Sequence, residues 1–210
     1  MNPQHLPSLY LASQSPRRRE LLQQIGVVHQ VVSADVIEVP RTQESPSDYV
    51  QRLAREKAEA GLASVERLAL TPKPVLGADT IVVINNEILE KPQSLEHAAE
   101  MLRKLAGTTH QVMTAVSMIA EEMLVENVLV EKRCEIKLSV TDVVFRPLSE
   151  QEISAYWESG EPRDKAGGYA IQGLGAVFVQ QIRGSYTGVV GLPIEQTVLL
   201  LDEFAVPYWQ

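Results

Sequence analysis

The sequence predicts an α/β fold built on a mixed sheet, and three observations predict it. Short apolar runs alternate with amphipathic stretches along the whole chain. Several amphipathic stretches open on Ser-Pro or Ser-x-x-Asp/Glu signals, which start helices. Some of the apolar runs are joined by turns too short for a crossover, so antiparallel pairs must sit beside parallel ones. The chain has 210 residues, 45% hydrophobic and 22% charged. That suffices for a self-sufficient core without disulfides or structural metal. No repeat, low-complexity tract or linker interrupts it, so one domain spanning 1–210 is expected.

Taken in order, Ser8–Ala12 (SLYLA) reads as a buried first strand. Ser15 and Pro16 then supply an N-cap and a first helical residue. The helix carries Leu21, Leu22 and Ile25 and stops at Gly26, a C′ residue. Val27–Val32 is a second strand, followed by a polar loop over 33–44. Ser45-Pro46-Ser47-Asp48 forms a capping signal for a long helix to about Leu62. Pro74–Ile84 (PVLGADTIVVI) is the strongest strand. Asn85-Asn86 is a tight-turn pair that returns the chain as a hairpin arm over Glu87–Glu90. Ser94 caps a helix ending near Gly107. Residues 109–145 are β-rich, with a turn expected around Glu121-Glu122. Ser149 and Glu152 form a capping box for a short helix to Trp157. Asp164–Gly175 is a Gly-rich loop. Ala176–Gln181 is a strand, Arg183-Gly184 a turn, and Pro193–Phe204 a last helix.

Composition also excludes whole classes of function. The net charge of −8 opposes general binding to nucleic acid or to membrane surfaces. No apolar run reaches the roughly 18 residues of a membrane span, and the N-terminal stretch has no secretory pattern. One cysteine, Cys134, permits no intrachain disulfide, which suits a cytoplasmic location. There is no G-x-x-x-x-G-K-[ST] and no G-x-G-x-x-G after the first strand. The four histidines, His5, His29, His97 and His110, lack zinc-site spacing. Cys134 lies in a strand-like alternation and reads as packing.

Four places break local rules. Arg17, Arg18 and Arg19 sit in the first turn of a helix, where cations oppose the macrodipole. They make sense around a bound anion, or as a solvated basic patch. Lys57 falls within the apolar stripe of Val50, Leu53, Ala54 and Gly61. It needs a partner there, or it snorkels at the core edge. Asp79 stands in the middle of a buried strand, where a carboxylate must be paired, protonated or metal-bound. Gly77 and Ala78 before it leave room for a close approach. The Gly-rich loop with Lys165, Gly167, Gly168, Gln172 and Gly173 can bring backbone amides against a ligand.

Together these places resemble the Maf family of nucleotide pyrophosphatases. The motifs are SxSPRR near the N-terminus, LAREKA at 53–58, GADT at 77–80, EKP at 90–92, DKAGGYAIQG at 164–173 and GSYTGVVGLP at 184–193. They stand in the family's order from about Leu9 to Leu201. GADT with SPRR and IQG is similar to the branch acting on dTTP and UTP. The resemblance implies an elongated mixed sheet with flanking helices, two lobes around a central cleft, related to the inosine triphosphate pyrophosphatases (a Maf/Ham1 fold). It implies a cytoplasmic hydrolase converting a nucleoside triphosphate to monophosphate and pyrophosphate, with Mg²⁺ or Mn²⁺, and a possible homodimer. By motif match, Asp79 would be the general base. Arg17, Thr80 and Gln172 would select the base, while Ser13, Arg18, Lys57, Lys91 and Lys165 would hold phosphates. Glu38 would join Asp79 as metal ligand, with Asp35 the competing position. No nucleic-acid or membrane partner is implied.

The chemistry agrees with that assignment. A triphosphate carries about four negative charges, which must be neutralised before water attacks the α-phosphorus. Arg18, Lys57, Lys91 and Lys165 offer four cations from four separate segments. Gln172 both donates and accepts, matching the O4 and N3–H edge of uracil or thymine. The competing reading is a nucleotide sensor acting through protein contacts, for instance in cell division or septum formation.

Overall fold

The computed structural model describes residues 6–125 and 128–209. Seven strands form one mixed sheet: β1 (Leu9–Ala12), β2 (His29–Val31), β3 (Val75–Ile84), β4 (Glu87–Leu89), β5 (Thr109–Val125), β6 (Val128–Phe145) and β7 (Val179–Arg183). Six helices flank it: α1 (Pro16–Gln24), α2 (Pro46–Arg67), α3 (Leu95–Leu105), α4 (Glu150–Glu158), α5 (Tyr186–Val190) and α6 (Ile194–Glu203). The strand order is β2-β1-β3-β5-β6-β7, with β4 also paired to β3. β1 lies parallel to β2 and β3, and the other pairs are antiparallel. The predicted mixed α/β architecture is the observed one.

The local signals explain the elements. Ser45, Ser94 and Ser149 accept backbone N–H bonds from the third residue of their helices. Ser149 and Glu152 complete the reciprocal box. Asn85 and Asn86 adopt φ of 49° and 64°, the left-handed turn that matches strand twist between β3 and β4.

Four expectations are corrected. The β5–β6 pair continues past Glu121, through Val125 opposite Val128, so the turn does not fall at Glu121-Glu122. α2 runs to Arg67 rather than stopping near Leu62. Residues Leu174–Phe178 form a 3₁₀ turn, which delays the last strand to Val179. Cys134 is exposed, although it pairs with the buried Ile119 on β5, because its side chain lies on the solvent-facing part of β6.

One feature of the sheet positions everything that follows. β5 pairs along β3 from Val75 to Val83. The opposite edge of β3 is shared. β1 takes Val75–Gly77 and β4 takes Val82–Ile84. Between them, residues 78–81 have no strand neighbour on that edge. β1 turns away after Ala12 into α1, and β4 turns away after Leu89. Both strands therefore end facing the same gap, the kind of crevice at strand C-termini where α/β proteins bind ligands.

The gap has two faces because β3 alternates. Leu76, Ala78, Val82 and Ile84 pack into the main core with α1, α3 and α6, while Val75, Ile81 and Val83 pack under α2. Asp79 therefore points to the α2 side and Thr80 to the other. α2 crosses β3 at backbone contact: a Cβ on Gly77 would sit 2.4 Å from the Ala54 carbonyl oxygen. Only glycine allows that approach.

Candidate functional site

Around the split lies a cleft of about 680 Å³. Its walls come from the β1–α1 turn, the 33–44 loop, α2, the middle of β3, the chain after β4, the Gly-rich loop and the end of α5. Ser13, Arg17, Arg18, Glu38, Lys57, Asp79, Thr80, Lys91, Lys165 and Gln172 all line it. The structure thus brings together every residue assigned from the motifs, from six separate segments. Asp35 does not line it; its carboxylate accepts a 3.4 Å bond from the Ser33 hydroxyl instead. Glu38 is the loop acid that faces the cleft.

At the centre Lys57 Nζ lies 2.6 Å from Asp79 Oδ1 and 2.5 Å from Glu38 Oε1. Lys91 Nζ approaches the other Glu38 oxygen at 3.7 Å. The stripe on α2 that looked interrupted by a lysine is apolar up to this point and cationic where it meets the gap. Asp79 is 6% exposed. Burial raises its pKa above the usual carboxylate value, and the charges of Lys57 and Arg18 oppose that rise without cancelling it. Glu38 is also pushed up by burial, but the hydrogen bond and charge of Lys57, with Lys91 and Arg18, outweigh it and leave the pKa lowered. Two carboxylates in one cleft are thus driven in opposite directions, a pattern typical of acid–base sites.

On the other face of β3, Arg18 Nη2 donates to Thr80 Oγ1 at 3.2 Å, Nη1 to Ser13 Oγ at 3.0 Å, and Nε to the Gly191 carbonyl at 2.8 Å. Burial lowers the Arg18 pKa. A guanidinium has five N–H groups. Three are spent holding its plane, and two remain for an anion at the α1 N-terminus. Thr114 Oγ1 stands 3.0 Å from Thr80 Oγ1 and 2.8 Å from the Gly188 carbonyl, tying β3 to β5 and α5. Five cations and four carboxylates line the cleft, against a chain of net charge −8. The positive charge is concentrated where an anionic ligand would sit.

At the far end, Gln172 is exposed on the Gly-rich loop beside Ile171 and Tyr169. Gly167 takes φ of 67°, and a Cβ there would lie 2.8 Å from Val82, so the loop packs directly on β3. Lys165 is paired with its neighbour Asp164.

Two lining residues were not singled out from the sequence. Tyr49 stands on the same stripe of α2 as Leu53 and Lys57, four residues apart each time, and that spacing is a legible signal. Its phenol is pushed up to about 12 by burial and by the carboxylates of Asp79, Glu90 and Glu38. Glu90 precedes Lys91 and lines the same wall. The Gly191 carbonyl, which orients Arg18, lies in the GSYTGVVGLP motif, but nothing in that motif marks its backbone oxygen as a partner of Arg18.

The donor set suits a hard divalent cation. Glu38 and Asp79 converge on a single cationic centre, Lys57 Nζ, and both are oxygen donors open to the cleft. Among the described residues no group of three or more metal-binding side chains is present. Two carboxylates completed by ligand phosphates and water are what Mg²⁺ or Mn²⁺ needs.

Comparison with known proteins gives concordant matches. A family model described as Maf-like protein matches residues 8–204. A dTTP/UTP pyrophosphatase of Saccharophagus degradans is 57% identical over 204 residues, 96% of this chain and 91% of its own. That of Alkalilimnicola ehrlichii is 50% identical over 212 residues, 99% of this chain and 98% of its own. That of Escherichia coli O157:H7 is 53% identical over 199 residues, covering 95% and 94%. Among solved structures, the Staphylococcus aureus Ham1 protein aligns with a TM-score of 0.48 at 16% identity, covering 94% of this chain and 97% of that one.

Proposed function

This chain belongs to the Maf-like family, and on that premise we propose that its cleft hydrolyses dTTP and UTP to the nucleoside monophosphate and pyrophosphate. The observation that carries the reading is the convergence on Asp79: a buried carboxylate of raised pKa, at a split in the sheet, ringed by cations from separate segments. Relatives of half or more identity over nearly the whole chain bear the corresponding enzyme names. No observation favours a purely regulatory role.

In this reading the triphosphate lies along the cleft. Its phosphates meet Lys57, Lys91, Lys165, the free N–H groups of Arg18 and the Ser13 hydroxyl. The base reaches the Gly-rich loop. Glu38 and Asp79 would hold a divalent cation, which when bound polarises phosphate oxygen and lowers the pKa of its water. Asp79 accepts the proton of the water that attacks the α-phosphorus, and pyrophosphate leaves among the lysines. Lys57, 2.6 Å away, opposes the rise that burial imposes on the Asp79 pKa in the free site, and it turns to phosphate when substrate enters. Gln172 hydrogen-bonds the O4 and N3–H edge of the pyrimidine, and Arg17 and Thr80 narrow the space for larger bases. Clearing unusual pyrimidine nucleotides from a cytoplasmic pool is the purpose this chemistry serves. The chain works as one domain in this reading, because the sheet and the cleft walls run from the first strand to the last helices. Homodimerisation would draw on Leu199, the exposed member of a C-terminal apolar run whose other members are buried or half-buried.

Product analysis tests it. With Mg²⁺ or Mn²⁺, dTTP and UTP should yield dTMP or UMP with pyrophosphate, faster than CTP, ATP or GTP. Asp79→Asn should cost about 10²-fold or more in kcat while nucleotide still binds. Orthophosphate with a diphosphate product would place the attack on the wrong phosphorus. Bound nucleotide without turnover would favour a sensor.

A further inference from the structure

The segment that carries Gln172 is held from behind by two side chains that do not line the cleft. Glu161 sits in the 3₁₀ turn Glu161–Asp164, just after α4. Its Oε1 accepts the Gly175 N–H at 3.0 Å and the Tyr156 hydroxyl at 2.7 Å, and its Oε2 accepts the Leu174 N–H at 2.9 Å. The Tyr156 oxygen in turn accepts the Ala170 N–H at 3.0 Å. The two residues therefore pin the backbone at 170 and at 174–175, on both sides of Ile171-Gln172-Gly173.

The fit is close enough to constrain the sequence. A Cβ on Gly173 would lie 2.0 Å from Glu161 Oε2, and one on Gly175 would lie 2.7 Å from the Tyr156 oxygen. Both glycines allow the loop to close onto this pair. Tyr156 is itself fixed: its ring is buried and meets Phe178 edge-on at 4.9 Å. At the start of the segment, the Tyr169 hydroxyl is 2.8 Å from His110 Nε2. Between the pins, Gln172 is the one exposed polar side chain.

We propose that Glu161 and Tyr156 are positioning residues for base selection, holding Gln172 at a fixed depth in the cleft so that its amide meets a uracil or thymine edge. The inference rests on the reading that Gln172 contacts the base. Uracil and guanine present the same acceptor–donor order, O4/N3–H and O6/N1–H, but at different distances from the ribose, and an amide on a loose backbone could follow either. Discrimination therefore needs the amide and its backbone to be held, since geometry held by a supporting shell is what makes a polar contact selective.

The test measures kcat and KM for UTP and GTP with the purified full chain and Mg²⁺. The variants are Gln172→Ala, Glu161→Gln, Tyr156→Phe and the double variant Gln172→Ala with Glu161→Gln. Glu161→Gln replaces an acceptor by an NH₂ group facing N–H donors, while Tyr156→Phe removes only the hydroxyl and keeps the ring in the core. Glu161→Gln and Tyr156→Phe should each lower the UTP:GTP ratio of kcat/KM by about tenfold, through KM for UTP, with kcat within about twofold. In the Gln172→Ala background, Glu161→Gln should leave the ratio unchanged. If Gln172→Ala lowers the ratio but Glu161→Gln and Tyr156→Phe do not, the positioning role is overturned and the base contact stands. If Gln172→Ala itself leaves the ratio unchanged, the base contact falls and this inference falls with it. Equal losses on both nucleotides with a lowered melting temperature would reduce Glu161 to a structural role and overturn the proposal. So would a drop in ratio that persists undiminished in the double variant. If Glu161→Gln does not fold, Tyr156→Phe decides by the same ratio.

Discussion

At the scale of the residue, the site turns on one ammonium between two carboxylates. Lys57 is the nearest cation to Asp79, and burial is what that cation opposes. Removing it leaves desolvation with only Arg18 against it, so the Asp79 pKa must rise further. An ionised base is then available only at higher pH. Lys57→Met should move the acid limb of the kcat/KM profile upward by about 1–3 units, besides lowering the plateau through the lost phosphate contact. A limb that stays in place would mean that Asp79 is not the titrating group. The stripe argument had pointed to Lys57 as a lysine that needs a partner. The structure supplies two, and they are the two acids of the site.

At the scale of the element, the 33–44 loop matters because it delivers Glu38. It has no secondary structure of its own and is clamped to α2 by Arg52. That guanidinium donates to both oxygens of Glu44 at 2.6 and 2.7 Å, to Glu56 at 3.1 Å and to the Val39 carbonyl at 3.1 Å. The Arg52 bonds are the main reason that Glu44 is held down at about 2, so the clamp stays charged through the working range of the protein. Arg52→Met should free the loop and raise the Mg²⁺ concentration giving half-maximal rate by about three- to tenfold, with kcat at saturating Mg²⁺ less affected. A metal titration at fixed UTP measures it, and an unchanged midpoint would uncouple the clamp from Glu38. The amphipathic face of α2 was readable from spacing. The Arg52–Glu44 clamp was not, because both partners look like ordinary solvated charges until the loop folds back.

At the scale of the whole molecule, the Gly-rich loop is joined to the sheet through His110 on β5. Its ring is 2% exposed, meets Phe145 and Tyr169 edge-on, and has no partner for Nδ1 among the described residues. Burial lowers its pKa to about 4, against 6.5 for a free imidazole. The folded protein thus keeps His110 neutral while the unfolded chain takes up a proton as pH falls below 6.5. The unfolded state binds the extra proton in that window, so stability falls with pH, by about 1.4 kcal/mol per unit at full slope. Urea unfolding between pH 7 and pH 5, run side by side on the wild type and His110→Gln so that the carboxylate contributions cancel, should show this slope as the difference between the two. From its spacing the sequence reading could say only that His110 was no zinc ligand. Its place in the core depended on which face of β5 met the loop, which strand alternation leaves undetermined until the sheet is assembled.

The sequence by itself determined the local elements, the mixed character of the sheet and the identity of the residues lining the cleft. The elements follow from short-range chemistry: caps, turn pairs and periodicity. The arginine turn, Lys57, Asp79 and the Gly-rich loop stand out by breaking a local rule, whereas Glu38 and Lys91 came only from the resemblance to the family's motifs. The tertiary structure alone decided that Glu38 rather than Asp35 faces the site, since a flexible loop brings either acid within reach. It also decided that Asp79 and Thr80 address opposite walls, and that Arg18 spends three of its five N–H groups on orientation. Both depend on β1 and β4 sharing one edge of β3 and leaving residues 78–81 without a neighbour. A split of that kind is a long-range pairing choice, set by how segments far apart in the chain compete for a single strand edge. No window of neighbouring residues contains it.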